Sequence, residues 1–421
     1  MRSQSMNNRV PDQLASFTED SVTTVSGKPS TTPISTSITP YEPAFQSFWM
    51  GGFESACHIN SWGCRLDMIA LTQHDRCANE DYGLLRSVDI LAARDGVRWH
   101  LIEETPGHYD FTSLQPLVDA ARRHRIQVIW NLCHYGWPDH LDLFSPEFPE
   151  RFAAFARATA RYIIDRSEIP PAFAPINEIS FFAWAIGNGG FMFPYSRGRG
   201  DDVKRQLVRS AILAIDAIRE IAPRIRFVQP DPIIRVVAPR DRPDLAEAAA
   251  HQHEAQFHAW DMLAGRIEPE LGGRAEYLDI IGVNYYHSNQ FEHPDVRLRW
   301  EDSPRDERFL PFSELVAEVY QRYQRPMIVS ETSHFGIGRA AWLREMAQEA
   351  RLICERGIPL LGVCLYPIID RPDWENFDHW HNSGLWDLIS DGEGCLKRTL
   401  NEEYAQELRR SQALLAVCGR I

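Results

Sequence analysis

The chain has 421 residues, of which 44% are hydrophobic and 24% are charged, a composition typical of globular proteins. Its formal net charge of −14 at pH 7 argues against a nucleic acid partner, because proteins that bind phosphate backbones need a basic face. No stretch approaches the roughly 18 apolar residues of a membrane span, and the N-terminus lacks the apolar core of a secretory signal. We therefore expect a soluble, cytoplasmic protein without a membrane partner.

The first 43 residues are rich in Ser, Thr, Asn and Pro, as in SGKPSTTPISTSITP. Such a segment cannot bury enough apolar surface to offset the conformational entropy that ordering removes. We therefore predict a flexible tail over residues 1–43 and a folded domain over residues 44–421. An arm that wraps this domain, or a neighbouring subunit of a homo-oligomer, is the alternative for the tail.

Eight short apolar runs follow, each with the length of a buried strand. Amphipathic patterns between most of them predict helices, clearest at 113–125, 150–166, 202–221 and 340–357. Strands that alternate with helices indicate a parallel sheet, and eight such units predict a closed (β/α)₈ TIM barrel. The predicted strands cover residues 47–53, 96–102, 126–133, 172–177, 225–230, 278–286, 326–331 and 360–367.

The chain is longer than the roughly 250 residues that such a barrel needs, so the excess must lie in loops. The longest predicted loops follow strands 1, 4, 6 and 8. All four are long βα loops, and βα loops form the face on which these barrels place their active sites.

Two carboxylates stand at the ends of predicted strands on this face. Glu178 follows strand 4 in FAPINEIS, and Glu331 ends strand 7 in PMIVSETSH. Strands 4 and 7 lie on opposite sides of a barrel mouth, so the two side chains can face each other across one pocket. Paired carboxylates suit glycoside hydrolysis, in which one protonates the leaving oxygen and the other attacks the anomeric carbon or activates water. The alternative for each residue alone is a salt bridge at a strand end.

At these residues the sequence resembles the glycoside hydrolase family 1 β-glycosidases, which are retaining (β/α)₈ enzymes with their catalytic glutamates on strands 4 and 7. The resemblance is distant but extends over nearly everything after residue 45, through eight motifs in chain order. Those motifs are FWMGGFESACHIN, GVRWHLIEETPGHYDF, CHYGWPDHL, APINEIS, GVNYY, IVSETSH, YPIIDRPDW and GLWDL.

The resemblance implies a role for each matching residue. Glu331 would be the nucleophile, oriented by Arg98 and Tyr286, and Glu178 would be the general acid and then the base. Asn177 would donate to the sugar 2-hydroxyl, and His134 would bind another hydroxyl of the same ring. The other residues of the implied sugar site are His58, Asn284, Tyr366, Asp373 and Trp374.

The sequence departs from the family pattern mainly among the residues that would contact the sugar. His58 replaces a glutamine, Tyr135 and Tyr366 each replace a tryptophan, and Asp373 replaces a glutamate. A site built to hydrogen-bond particular hydroxyls rejects sugars that leave its groups unpaired. We therefore expect a carbohydrate substrate other than plain glucose.

Two further sequence features could indicate a dinucleotide site or a zinc site. GIGRAA at 336–341 fits a dinucleotide fingerprint, but a single copy after the seventh strand of a barrel is better explained as a tight turn. The Cys and His residues at 57, 58, 64, 74 and 77 match no zinc spacing. We therefore predict no metal and no cofactor. Transfer of the glycosyl group to an acceptor other than water, and a non-catalytic sugar-binding barrel, remain the alternative functions.

Overall fold

A computed structural model describes residues 44–416 of the chain. The predicted flexible tail, residues 1–43, lies outside the described residues. Within the described range, no helix is both long and apolar enough to cross a bilayer.

Eight parallel strands form a closed barrel. They are β1 (Trp49–Gly52), β2 (Ala92–Gly96), β3 (Gln127–Cys133), β4 (Ala172–Ile176), β5 (Arg226–Pro232), β6 (Ile280–Asn284), β7 (Met327–Thr332) and β8 (Leu360–Leu365). Each strand pairs with its neighbours in sequence and β8 pairs with β1, which confirms the predicted (β/α)₈ barrel.

Helices cover the outside of the barrel, and the four predicted most clearly are present with ends shifted by at most two residues. The α-helices are Met68–Leu71, His74–Ser87, Trp99–Ile102, Gln115–His124, Phe148–Ile164, Ile179–Trp184, Gly200–Arg219, Ala246–Glu254, His258–Leu263, Phe312–Tyr323, Arg339–Glu355 and Glu402–Leu415. A π-turn spans Ala185–Gly189, and 3₁₀ turns span Pro243–Leu245, Ala255–Phe257, Pro269–Leu271, Ala275–Tyr277 and Gly336–Gly338.

Two small sheets extend the loops at the barrel mouth. Three short strands, Arg235–Val237, Gln290–Glu292 and Val296–Arg297, pair in the loops after β5 and β6. An antiparallel hairpin, Trp386–Ser390 with Leu396–Leu400, follows β8. These additions account for much of the length beyond a minimal barrel.

The core of the barrel has two parts because side chains alternate along each strand, and a third, small apolar cluster lies at the sheet formed after β5 and β6. The larger part lies between the barrel and its helices, and the smaller fills the barrel interior. Small residues such as Ala172 and Ala174 occur on the interior face of β4, where eight strands leave room only for side chains. The interior is therefore packed, and a ligand can enter only from an end.

The prediction for strand 2 was wrong in its bounds. The strand covers Ala92–Gly96, and most of the predicted range, Trp99–Ile102, is a helical turn. The strand was missed because it carries Arg94 and Asp95, both fully buried, which interrupt its apolar pattern. Arg94 shares a face with Ala92 of the interior core, so its side chain points into the barrel.

Candidate active site

A pocket opens at the carboxyl ends of the barrel strands, where the sequence predicted the site. It comprises about 970 Å³ of space, open solvent at its mouth included. Glu178 and Glu331 both line it, as predicted from their places on β4 and β7. Its other polar and aromatic lining includes Glu54, His134, Tyr135, Tyr286, Tyr366, Arg371, Asp373, Trp374 and His381.

Glu331 points into the pocket because β7 is irregular at this position. Val329 pairs with Val283 and Glu331 with Asn284, so two steps along β7 match one along β6. Such a bulge redirects side chains at the rim of a barrel. Its carboxylate accepts hydrogen bonds from Arg94 Nη1 at 2.5 Å and from Tyr286 Oη at 2.7 Å. Both donors favour the ionised form of the carboxylate.

The sequence-based choice of Arg98 as the partner of Glu331 was wrong. Arg98 donates to Asp67 at 3.0 Å and to the carbonyl of Ser113 at 3.1 Å, away from the pocket. Arg94 takes the predicted place because the strand ends two residues before Arg98, and only a residue within the strand projects into the barrel. Tyr286 does contact Glu331, and its role in orienting a nucleophile stays a prediction.

Glu178 lies at the sharp junction between β4 and the helix Ile179–Trp184. Its φ of +48° is in the left-handed region, which costs a residue with a Cβ about 1–2 kcal/mol. Such strain concentrates at functional sites. Its carboxyl accepts hydrogen bonds from Tyr135 Oη and from Asn284 Nδ2, the latter at 2.8 Å.

The environments of the two carboxyls differ in charge. Burial, and then the negative charge of Glu331, raise the pKa of Glu178 to about 8, although the hydrogen bonds from Tyr135 and Asn284 oppose the rise. Glu331 is paired with the cation of Arg94, whereas both donors to Glu178 are neutral. The pocket therefore holds, side by side, a carboxyl with a raised pKa at Glu178 and an ion pair between Glu331 and Arg94.

Asn177 joins the surroundings of the two carboxyls. Its Oδ1 accepts from Arg94, and its Nδ2 donates to Tyr135 Oη at 2.9 Å and to His134 Nε2 at 3.1 Å. The residue is fully buried, and protein groups satisfy its amide. Its direct bond to a sugar hydroxyl therefore stays a prediction that requires one of these partners to give way.

His134 lines the pocket, as predicted, and its ring is held on both sides. Nδ1 lies 2.9 Å from Ser55 Oγ, opposite the bond to Asn177. Burial, together with the positive charge of Arg94, holds its pKa well below the usual range. The imidazole is therefore neutral and can exchange hydrogen bonds with hydroxyls.

Asn284 is placed differently from the prediction that it binds substrate. It is fully buried, with Nδ2 donating to Glu178 and Oδ1 accepting from Ser330 Oγ at 2.5 Å. It supports the carboxyl of Glu178 from behind.

A second ion pair faces the pocket beside His134. Glu54 Oε2 lies 3.3 Å from Arg371 Nε, and Glu54 Oε1 accepts from Tyr366 Oη at 3.4 Å. Tyr366 therefore lies where the sequence placed it, on the pocket wall after β8. Glu54 and Arg371 were not predicted, because each is a single charged residue in a loop with no periodic signal around it.

Asp373 and Trp374 also line the pocket, as predicted. The Asp373 carboxylate accepts from the backbone N–H groups of Glu375 and Asn376, at 2.8 and 3.0 Å, and lies 3.1 Å from His381 Nε2. Although burial opposes it, these hydrogen bonds lower the pKa of Asp373 to about 2.

His58 does not line the described pocket. It is buried behind Trp374, with the two rings edge to face at a centroid distance of 4.9 Å. Burial, and then the charge of Arg65, lower its pKa to about 3. The position that the sequence assigned to sugar binding therefore supports the aromatic wall, while Glu54, four residues earlier, faces the pocket.

Solved structures of β-glycosidases share this fold over most of the chain. No protein-family model and no curated protein matches the sequence. A family 1 β-glucosidase from Thermotoga maritima superposes with a TM-score of 0.69 at 14% identity, covering 89% of this chain and 98% of its own. The AHE enzyme from Alicyclobacillus herbarius gives 0.67 at 18% identity, covering 82% and 88%. The β-glycosidase BGL167 gives 0.65 at 18% identity, covering 81% and 87%. At these sequence identities the comparisons establish only the fold of the chain. They confirm the prediction that this fold resembles the fold of the family 1 β-glycosidases.

Proposed function

We propose that the chain is a retaining β-glycosidase that removes one sugar from the non-reducing end of a β-linked glycoside. The observation that carries the proposal is the pair of unlike carboxyls in one pocket. Glu331 is ion-paired with Arg94 and accepts from Tyr286, and burial raises the pKa of Glu178. A carboxyl with a raised pKa beside one that is paired with an arginine is the arrangement expected of an acid and a nucleophile. The fold shared with family 1 β-glucosidases supports the same reaction class.

In the first step Glu178 gives its proton to the glycosidic oxygen while that oxygen takes the bonding pair from the anomeric carbon. A carboxylate oxygen of Glu331 forms the new bond to this carbon, and the aglycone leaves as an alcohol. Arg94 and Tyr286 orient Glu331 for the attack. Esterification removes the charge of Glu331 and with it one of the causes that keep Glu178 protonated.

In the second step Glu178, now a carboxylate, takes a proton from water as the water oxygen attacks the anomeric carbon. The bond to Glu331 breaks, and the sugar leaves with its original configuration after two inversions. An alcohol in place of water gives transfer by the same chemistry, so product analysis distinguishes the two acceptors.

The pocket suits a polyhydroxylated ring. His134, Tyr366, Asp373 and the Glu54–Arg371 pair supply donors and acceptors, and Trp374 supplies an apolar wall. Aromatic rings pack against the C–H faces of sugars, and paired polar groups exclude ligands that leave them unsatisfied. Because Glu54, Arg371 and Asp373 are charged, we expect the preferred sugar to be one whose hydroxyls match this set.

A panel of nitrophenyl α- and β-glycosides tests the class, and a 2-deoxy-2-fluoro analogue of the best substrate tests the intermediate. We expect turnover of a β-glycoside, retention in the first-formed product, and a covalent label on the peptide that contains Glu331. Glu331→Gln serves as the control and should neither turn over nor label. Silence across the panel, together with no label, would overturn the proposal, and sugar binding without turnover would indicate a binding protein.

A further inference from the structure

Two imidazoles and a carboxylate converge beside the pocket, on the loops after β6 and β7. One potential ligand atom from each of His287, Glu301 and His334 lies within 4.8 Å of the other two. His287 follows Tyr286 directly, and His334 comes three residues after Glu331. Two histidines and one carboxylate are a donor set for divalent transition metals.

Both imidazoles have a ring nitrogen that lacks a hydrogen bond within residues 44–416. His287 is 4% exposed and its Nδ1 has no partner. His334 is 8% exposed, and its Nε2 has only the Glu301 carboxylate nearby, at 3.4 Å and without hydrogen-bond geometry. Buried polar atoms are normally satisfied, because an unmade hydrogen bond leaves the cost of desolvation uncompensated. A bound cation would satisfy such nitrogens.

The surroundings hold the rings near each other. The centroids of His287 and His334 are 4.3 Å apart, and Trp300 lies 5.1 Å from His334. The backbone N–H of Phe335 donates to His334 Nδ1 at 2.8 Å, so Nδ1 accepts and the neutral ring carries its proton on Nε2. Metal binding at Nε2 requires this proton to move to Nδ1, where the carbonyl oxygen of Phe335, 3.1 Å away, can accept a hydrogen bond from it.

Glu301 closes the cluster on the solvent side. Its side chain is 30% exposed, and Arg297 Nη2 donates to both carboxylate oxygens, at 3.1 and 3.2 Å. The exposed carboxylate leaves a route by which an ion and water can enter from solvent.

We propose that His287, Glu301 and His334 bind one divalent transition-metal ion, with Zn²⁺ as the probe. One nitrogen from each imidazole and one carboxylate oxygen would be the ligands, and water would complete a tetrahedral sphere. Ligand atoms at 2.0–2.1 Å from zinc are roughly 3.3 Å from one another. The ligand atoms now lie within 4.8 Å of one another. Small side-chain rotations would bring them to the spacing that zinc requires. The ion would join the loops that follow Tyr286 and Glu331, and the proposal is independent of the glycosidase assignment.

The test measures binding to the full chain after metal removal by a chelator and dialysis. Titration calorimetry with Zn²⁺ at neutral pH should show one ion per chain, and Co²⁺ should give a visible absorption band from imidazole coordination. Zinc should raise the melting temperature of the wild-type protein above that of the chelator-treated sample. His287→Ala and His334→Ala should each weaken zinc affinity at least ~100-fold, and Glu301→Gln roughly 10-fold or more.

His293→Ala is the matched control, because His293 lies in the same loop but binds Gln252, at 2.6 Å, outside the cluster. It should leave zinc affinity unchanged. Binding that survives His287→Ala would place the ion elsewhere, for example on the exposed thiols of Cys64 and Cys395, and would overturn the proposal. The same holds for wild-type protein that binds no stoichiometric zinc and gains no thermal stability, a result that needs no variant to fold.

Discussion

Replacing Arg94 by methionine should separate catalysis from folding, with Arg98→Met as its matched control. Both arginines are buried and both are ion-paired, Arg94 with Glu331 at 2.5 Å and Arg98 with Asp67 at 3.0 Å. Removing one partner of a buried pair costs about 3–5 kcal/mol, because the other charge stays behind without compensation. Both variants should therefore melt at lower temperatures than the wild type.

Only Arg94→Met should also lose activity specifically. If the lost interaction is one that Glu331 needs in the transition state, about 3–4 kcal/mol corresponds to a 10²- to 10³-fold fall in kcat/KM. The assay is kcat/KM on the best aryl glycoside at a temperature well below the melting points of both variants. Arg98→Met should remain within a few-fold of the wild type there. The reverse pattern would refute the assignment of Arg94 and restore the sequence-based choice.

Three further predictions concern the acid. Because Glu178 must be protonated to act, the alkaline limb of the wild-type pH profile should fall about tenfold in kcat/KM per pH unit above the Glu178 pKa of about 8. Tyr135→Phe removes a hydrogen bond that lowers the pKa of Glu178, so this alkaline limb should move up by roughly one to two pH units; an unmoved limb would assign it to another group. Glu178→Gln should lose most activity on alkyl glycosides and far less on dinitrophenyl glycosides, whose leaving groups need no proton. Equal losses on both would contradict the acid role.

Much of the fold could be predicted because its signals are local and repeated. The run at 126–133 is mostly apolar, as expected of a parallel barrel strand that is buried on both faces. The structure has a buried strand at Gln127–Cys133. The helix Phe148–Ile164 follows an equally clear 3.6-residue pattern, with Phe152, Phe155 and Ile163 buried. Where hydrophobic burial alone defines a helix or strand, the sequence is sufficient to predict it.

Strand 2 was misplaced in the prediction because hydrogen bonds to buried charged residues stabilise it, in addition to apolar burial. Its charged residues Arg94 and Asp95 are fully buried, and Asp95 accepts hydrogen bonds from Tyr82 at 2.8 Å and from His74 at 3.1 Å. The partners that compensate these buried charges are 13 to 21 residues away for Asp95 and 37 to 237 residues away for Arg94, so they leave no trace in the local pattern. The same four-residue error moved the predicted partner of Glu331 from Arg94 to Arg98.

The residues of the pocket wall were only partly predictable, again because their contacts are distant in the sequence. Glu54 and Arg371 are far apart in the chain, and each would be read alone as an exposed charge. Their pairing at 3.3 Å depends on β1 and β8 lying side by side, which follows only from closure of the barrel. Family motifs located Trp374, where the chain matches, and Asp373, which replaces a glutamate inside the same motif. In the first loop they pointed to His58, which lies buried behind Trp374.

Charge balance in the buried site explains why the pKa of Glu178 is raised. Arg94 and Glu331 form a pair with no net charge, and the donors to Glu178, Tyr135 and Asn284, carry none. Ionising Glu178 in the free protein would therefore add an uncompensated buried anion close to Glu331, which is why its pKa lies near 8. Once Glu331 becomes an ester, Arg94 is left as an uncompensated cation, and ionisation of Glu178 then restores the balance. In the proposed mechanism, the proton of Glu178 would thus be held while an acid is needed and released when a base is needed.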